Sequence, residues 1–418
     1  MDALRKCLKA DAVRKALKAL PKDLDATYDR ILNSIEEDYR AEAFSVLQWL
    51  AFSARPMRLE EIAEATSMAG EDHPVFTPEK RLSEPTDVLT ICTSLVTLTE
   101  RKGSHREPDT VIELRLAHFS VKEYLLSQRI PANFGIEEIF ANLYIAKTCL
   151  AYLLHFDFNL LPGEDVYRKD VVAYPLLRYA AEFWDGHVRA ISDGSSDCLL
   201  HSMILDLLNP DKLCSSNWLR VYDPNGKFSF EVADPGSPLC FTSLLGLSNV
   251  THALINDGAD VNAQGGRYGS ALQAAARSDN ETVIKLLLDA GADVNLQGGY
   301  HGNALQAAAH SGNKAVIQLL LRTGADVNAE GGILFDSALQ AAALSDNETV
   351  IKLLLDAGAD VNAQGGYFGN ALQAAAIGRS HITTIQLLLD AEQMSMLKVE
   401  TMTMHFEQHA VQEQEMRQ

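Results

Sequence analysis

The sequence predicts a mainly α-helical protein in which irregular helices lead into an α-solenoid. Three observations predict it. One phrase recurs as SALQAAA from Ser270, NALQAAA from Asn303, SALQAAA from Ser337 and NALQAAA from Asn370, at steps of 33, 34 and 33 residues. A second phrase, GADVN, keeps the same beat from Gly258, Gly291, Gly324 and Gly358. All 13 prolines fall at or before Pro238, whereas 17 of the 26 glycines fall from Gly258 onward, so the composition changes near residue 237. A fixed period of this size marks stacked supersecondary units.

In chain order, residues 1–22 read as a basic amphipathic helix, with seven Lys/Arg against two Asp and Leu4, Leu8, Leu17 and Leu20 on one face. Such a helix suits a membrane surface or calmodulin, or packs on the next domain; packing is the reading adopted. Residues 23–130 follow. LPKDLDATYDRILNSIEEDY places Leu24, Tyr28, Ile31, Leu32 and Ile35 on one helical stripe, with Pro21 at its start. AEAFSVLQWLAFS, RLEEIAEATS and TDVLTICTSL read as further helices, LVTLTE and VIELRLA as two strands around RKGSHREPD, and HFSVKEYLLS as a closing helix. Helices, a hairpin with a long tip and a closing helix follow a winged-helix order. Residues 131–236 read as a helical linker region.

Residues 237–391 hold about five units. Ser270, Asn303, Ser337 and Asn370 are N-cap residues, each followed three positions later by Gln273, Gln306, Gln340 or Gln373, the pattern of a capping box, with Asn the weaker cap. The alanine-rich first helix lets a neighbour approach closely. After a polar turn, TVIKLLLDA from Thr282 sets Val283, Leu286 and Leu287 on one face. Gly291 stands where a left-handed cap is wanted. The extra residue of the third step falls in GGILFDSALQ, in the loop between units, where an insertion is tolerated. These units resemble ankyrin repeats, with Ser/Asn-Ala-Leu-Gln in place of Thr-Pro-Leu-His, a variant associated with fungal ankyrin proteins. The unit from Ser237 reads as an atypical N-terminal cap with Cys240 at the His position. Glu392 replaces the last capping Gly, so the final helix is expected to run on into a helical or disordered tail, 392–418.

The front phrases LPKDLDATYDRIL, LQWLAFSARPMRLEEIAEA and LRLAHFSVKEYLLS resemble the winged-helix segment of fungal NACHT-type proteins, signalling NTPases of the STAND class related in layout to NOD-like receptors. YPLLRYAAEFWDGHVR from Tyr174 resembles the helical segment that follows there. The resemblance implies a sensor role for the repeats. It also implies a preceding NTPase domain, but no GxxxxGK[ST] loop occurs: Gly226-Lys227 has no upstream Gly at that spacing and is followed by Phe228. The chain reads as the C-terminal portion of such a protein, a truncated paralogue or an incomplete gene.

Composition narrows the function classes. The 418 residues are 47% hydrophobic and 22% charged, which excludes a disordered or collagen-like chain. No run reaches the length of a membrane span. A net charge of -20 argues against nucleic acid as a partner. The wing carries Arg101, Lys102, His105 and Arg106, but TDVLTICTSL presents no Arg, Lys, Asn or Gln to read base edges. The six cysteines are unpatterned and read as free buried thiols. No secretory start is present, which points to the cytoplasm, with the nucleus as alternative. No metal-ligand spacing, GxSxG or acid/base pair stands out, so no cofactor, metal or catalytic residue is expected.

Candidate binding residues are those the repeat does not dictate. The fingers carry Arg267-Tyr268, Tyr300-His301, Ile333-Leu334-Phe335 and Tyr367-Phe368, and Arg277, His310, Leu344 and Ile377 follow the AAA of each first helix. Aromatic residues and Arg are frequent interface anchors. Tyr268 and Tyr300 are read as recurring in register, which favours packing as much as binding; Leu344, Phe368 and Ile377 favour binding. The expected function is non-enzymatic protein binding by the concave ankyrin face, with a full-length NACHT-type protein as one potential dock. The alternatives are a fragment of an NTPase receptor and a winged-helix DNA-binding regulator.

Overall fold

The structure, a computed structural model, describes residues 24–103, 110–127, 130, 134–157, 173–191, 197–222, 236–378 and 380–392. The basic segment 1–22, the wing residues His105 and Arg106, Cys7 and the tail beyond Glu392 lie outside them. The chain divides into two compact units near residue 228, apart from Leu208–Pro210, which group with the second.

In the first unit, α1 (Leu24–Asn33) buries Tyr28 and Leu32. It stops short of Ile35, because Asn33 and Ser34 turn their side chains onto the carbonyls of Asp29 and Ile31 (2.8 and 2.7 Å). Leu24, read as part of the inward stripe, is exposed. Next come α2 (Arg40–Phe52), the short β1 (Met57–Arg58), α3 (Leu59–Thr66) and α4 (Val88–Cys92). Strands β2 (Val96–Lys102) and β3 (Thr110–Leu116) pair antiparallel from Val96↔Leu116 to Lys102↔Thr110. Strand β1 adds Met57↔Leu114 on the other side, giving the order β1-β3-β2. A two-residue strand has too little pattern to be read from sequence. Helix α5 (Phe119–Leu125) closes the winged-helix arrangement.

Helices α6 (Glu138–Leu154), α7 (Leu177–Arg189), α8 (Cys198–Leu208) and α9 (Leu213–Val221) occupy the region read as a linker. They do not tether: α6 and α7 are built into the winged-helix core. The Tyr152 hydroxyl of α6 donates to Glu64 Oε1 of α3 (2.5 Å), which also accepts from Arg81 (2.6 Å). The Tyr179 hydroxyl of α7 accepts from the Ala54 N–H (2.8 Å). His187 Nδ1 faces Asn142 Oδ1 and Nε2 faces the Tyr179 hydroxyl, both at 2.8 Å. The Asn142 amide donates to Glu138 O, so its Oδ1 is the acceptor, and His187 must donate from Nδ1 and accept at Nε2. Burial agrees, pushing His187 down to about 4 and keeping it neutral. The glutamates on α3 are compensated: Glu61, fully buried, is gripped by Arg55 (2.7 Å) and Arg58 (3.0 Å). Trp49, Trp184 and Trp218 fill the centre.

The second unit is a row of helix pairs: α10 (Pro238–Leu245) with α11 (Ser248–Asn256), α12 (Ala271–Arg277) with α13 (Glu281–Asp289), and α14 (Ala304–Ser311) with α15 (Lys314–Arg322). After these come α16 (Ala338–Leu344) with α17 (Glu348–Asp356), and α18 (Ala371–Ile377) with a last helix, α19, over 382–392. The buried stripe of α13 is Val283, Ile284 and Leu287, with Leu286 only half-buried. Gly258, Gly291, Gly324 and Gly358 cap at φ 89°, 90°, 97° and 93°, as the left-handed cap requires.

Repeated polar side chains bind unit to unit. The Asn262, Asn295 and Asn328 amides donate to the carbonyls of Gly291, Gly324 and Gly358 (3.0–3.2 Å), and their Oδ1 atoms accept from the Asp293, Asp326 and Asp360 N–H groups at 2.8 Å. The glutamines do more than the capping box asks. Gln273 Nε2 donates forward to Leu296 O and Gly302 O (2.9 and 2.8 Å), and Gln306 Nε2 to Ala329 O and Asp336 O (3.0 Å each). The reciprocal box closes at Asn303–Gln306 (2.8 and 3.0 Å), a pair with the weaker cap residue.

Three of the four fingers end on a glycine, Gly269, Gly302 and Gly369. At Gly302 (φ 96°) a Cβ would come within 2.0 Å of Gly331 O. Asp336 takes that place in the third finger, which is one residue longer. Its carboxylate accepts from the Gly331 N–H (3.1 Å) instead of closing the Gly–Gly bridge of the other fingers. The insertion is thus accommodated at Ile333, which is 73% exposed.

Asp346 is held in the left-handed region (φ 54°) by what it bonds in the next unit: the His381 N–H and ring, and the Thr384 hydroxyl. The Thr384 hydroxyl first, then His381, lowers the Asp346 carboxyl, and Asp346 in turn raises His381 above 6.5. The pair therefore stabilises only between those limits, being lost as pH falls through the Asp346 pKa or rises through that of His381. In an NMR titration, Asp346→Asn is expected to return His381 toward 6.5; an unmoved His381 would show that Asp346 is not the cause.

Candidate functional site

Three columns of side chains run across the fingers and first helices. The inner column is Tyr268, His301, Phe335 and Phe368, all buried and stacked unit on unit. Ring centroids are 6.1 Å apart for Tyr268–His301 (18° between planes), 6.1 Å for His301–Phe335 (14°) and 5.6 Å for Phe335–Phe368 (22°). This ladder is the spine of the fingers. It places Tyr268, His301, Phe335 and Phe368, expected as contact residues, inside the stack: each stands two residues before the N-cap of its first helix, and that position faces inward. Tyr268 and Tyr300 are not in register but one position apart.

The outer finger column is Arg267, Tyr300, Leu334 and Tyr367. Tyr367 is 77% exposed, and the other three are half-buried. Backbone bonds fix the tips, the Tyr300 N–H to Arg267 O (2.7 Å) and the Leu334 N–H to Tyr300 O (3.2 Å). The Arg267 guanidinium lies 5.0 Å from the Tyr300 ring centroid. Tyr300 and Tyr367 stand edge-on to His301 and Phe368, at 5.4 and 5.1 Å.

The helix column is Arg277, His310, Leu344 and Ile377. The first three are half-buried and Ile377 is 58% exposed. His310 leans on the ladder, 5.4 Å from His301 and 5.1 Å from Phe335. Ile333, a finger-tip residue, belongs to the exposed set more clearly than Phe335 or Phe368.

Burial, then His310, Arg277 and Arg267, pushes His301 down to about 3; burial and Arg277 bring His310 to about 4. Both histidines are neutral at pH 7. His301 Nδ1 is buried and has no hydrogen-bond partner.

Away from these columns, charged groups of the wing sheet pair with one another. On the wing, Arg101 and Arg115 both turn to Glu113 (2.5 and 2.7 Å). Burial opposes the Glu113 charge, yet the hydrogen bonds from Arg115 and Arg101 hold its carboxyl below the usual range. Arg101 is thus directed at a carboxylate of its own sheet. Among the described residues, no group of three or more His, Cys, Asp or Glu could hold a metal ion, and no helix is long and apolar enough to cross a membrane. The described cysteines are free thiols. Cys92, Cys149, Cys214 and Cys240 are buried, and burial pushes the Cys92 thiol up to about 12. Cys198 is exposed, against expectation.

Comparison with known proteins follows the same division. Ankyrin-repeat models match residues 239–331 and 339–389, and the winged-helix domain of GPI inositol-deacylase matches residues 28–137. The "Azaphilone pigments biosynthesis cluster protein L" of Monascus ruber is 37% identical over 289 residues, 65% of this chain. The chain spans 59% of the length of that relative. The chain therefore carries ankyrin repeats behind a winged-helix domain of the NACHT-associated kind, and its sequence has no GxxxxGK[ST] loop.

Proposed function

We propose that the chain is a non-enzymatic protein-binding module that takes its partner on the two outward columns flanking the aromatic ladder. Ankyrin repeats are a protein-interaction architecture. One observation supports this site above all: the finger and first-helix positions that the ladder leaves outward differ from unit to unit, while the inward ones stay aromatic. Exposed Ile333, Tyr367 and Ile377 add an apolar patch, and such patches mark interaction sites. The winged-helix domain and the helices built into it fit a coupling module, as in the sensor half of a STAND protein. Arg101, turned to Glu113, leaves the DNA-binding reading weaker. The name of the Monascus relative suggests a second reading, service beside a biosynthetic cluster.

The test is affinity capture with the intact chain, with a variant carrying Tyr300→Ser, Leu344→Ser, Tyr367→Ser and Ile377→Ser, and with a control carrying Lys285→Ala and Lys352→Ala on the second helices. Partners held by the parent and the control are expected to be lost from the surface variant. Retention by a folded surface variant would move the binding site elsewhere.

A further inference from the structure

We infer that this surface is built for an extended peptide segment that is acidic at one end and apolar at the other, its carboxylates set against Arg267 and Arg277 and its apolar residues against Leu344, Tyr367 and Ile377. The inference rests on the reading of these columns as the binding face.

Charge complementarity carries it. The chain has a net charge of -20, and the array itself is acidic. Two of its four second-helix cations are spent locally, Lys285 on Glu281 (2.6 Å) and Lys352 on Glu348 (3.8 Å), each one turn away on the same helix, while Lys314 and Arg322 sit singly at the two ends of α15. Arg267 and Arg277 differ. Neither has a carboxylate partner among the described residues. Arg267 rests on the Tyr300 ring, an arrangement that fixes the guanidinium without neutralising it. Both arginines bear on the same ladder residue, His301. Two guanidiniums without carboxylate partners, one of them fixed on a ring, on the first complete unit of an acidic array, form a site for a carboxylate.

The opposite end of the same columns changes character. Arg277 is followed by His310, Leu344 and Ile377, and Arg267 by Tyr300, Leu334 and Tyr367. His310, neutral at pH 7, adds no charge between the ends. First helices that pack about 8–10 Å apart put Arg277 roughly 25–30 Å from Ile377. An extended chain of about eight or nine residues covers that distance. The gradient also fixes direction, since a reversed segment would set its apolar end on two desolvated cations.

Display of random peptides of about 12 residues, long enough to span the face, tests this on the full chain. Enriched peptides are expected to cluster Asp or Glu toward one end and Leu, Phe, Tyr or Trp toward the other. For a synthetic copy of an enriched peptide, Arg277→Gln and Arg267→Gln are each expected to weaken binding about tenfold, in line with a lost charge-assisted pair. On the unmodified chain, affinity should fall as salt rises, a readout that does not depend on either variant folding. Enriched peptides without acidic bias, or affinity indifferent to both salt and the arginines, would overturn the inference while leaving the face as a binding site. No enrichment on the parent would sink the face itself, and the inference with it.

Discussion

Phe335→Ala is expected to cost the repeat array about 3–5 kcal/mol, the range for deleting a buried aromatic side chain. Phe335 has no solvent exposure and stands mid-ladder, stacked on His301 at 6.1 Å and Phe368 at 5.6 Å, with His310 at 5.1 Å. The cavity would open between two units rather than inside one. In a quasi-one-dimensional stack, stability depends on each nearest-neighbour interface, so the loss spreads to both sides of the break. Against a typical total of about 5–15 kcal/mol it is a large fraction. The comparison is Tyr367→Ala, expected to change stability by no more than about 0.5 kcal/mol because that ring is 77% exposed. All the tryptophans, Trp49, Trp184 and Trp218, lie in the first unit, so their fluorescence does not report on the array. Hydrogen exchange of peptides from 304–377 does. Equal protection in the two variants would mean that the ladder is not the spine of the fingers. The same contrast governs any binding experiment: alanine at Phe335 or Phe368 removes the scaffold together with whatever it binds, and so cannot locate a contact.

The array was legible in sequence because its periods are strict. Phrase spacing gave the unit, the glycines of GADVN gave the caps, and the insertion was placed in the right finger. Orientation within the finger was harder to read. Tyr268 and Tyr300 catch the eye as one residue type, yet position relative to the N-cap that follows decides which side chain turns inward, and by that count His301 joins the ladder. Composition favours a histidine on the surface; only the stacked rings on either side of it show why this one is buried. The glutamines carry a similar lesson. Three residues after an N-cap, Gln reads as a local capping partner, but an amide has a second end, and here Nε2 reaches carbonyls 23 to 30 residues ahead. In the first unit, helix periodicity and the hairpin were readable. The bonds that draw α6 and α7 into the core were not, since Tyr152–Glu64 and Tyr179–Ala54 join residues 88 and 125 positions apart.

His301→Phe is expected to make the array less sensitive to acid. His301 titrates at about 3 and His310 at about 4 in the folded chain, against about 6.5 for an unperturbed histidine. Both are therefore neutral when folded and protonated when unfolded over most of that interval. The unfolded state binds more protons, so stability is fully present above about pH 6.5 and falls as pH drops toward 4. One pH unit below the unfolded value costs about 1.4 kcal/mol per histidine, so moving from pH 7.5 to about 5.5 should remove roughly 2–3 kcal/mol through this pair. That range stays above the isoelectric point of about 5.0, where precipitation would obscure the transition. Phenylalanine at 301 matches Phe335 and Phe368 in the same column and carries no titrating nitrogen. It also removes the buried Nδ1 that lacks a partner, a burden of about 1–3 kcal/mol when left unsatisfied. The variant is expected to lose about 1 kcal/mol less than the parent between the two pH values, whatever its stability at pH 7.5. The readout is array hydrogen exchange at both pH values, corrected for the intrinsic rate. An unchanged pH dependence would show that His301 is protonated in the folded array, and so not held neutral by its place in the ladder.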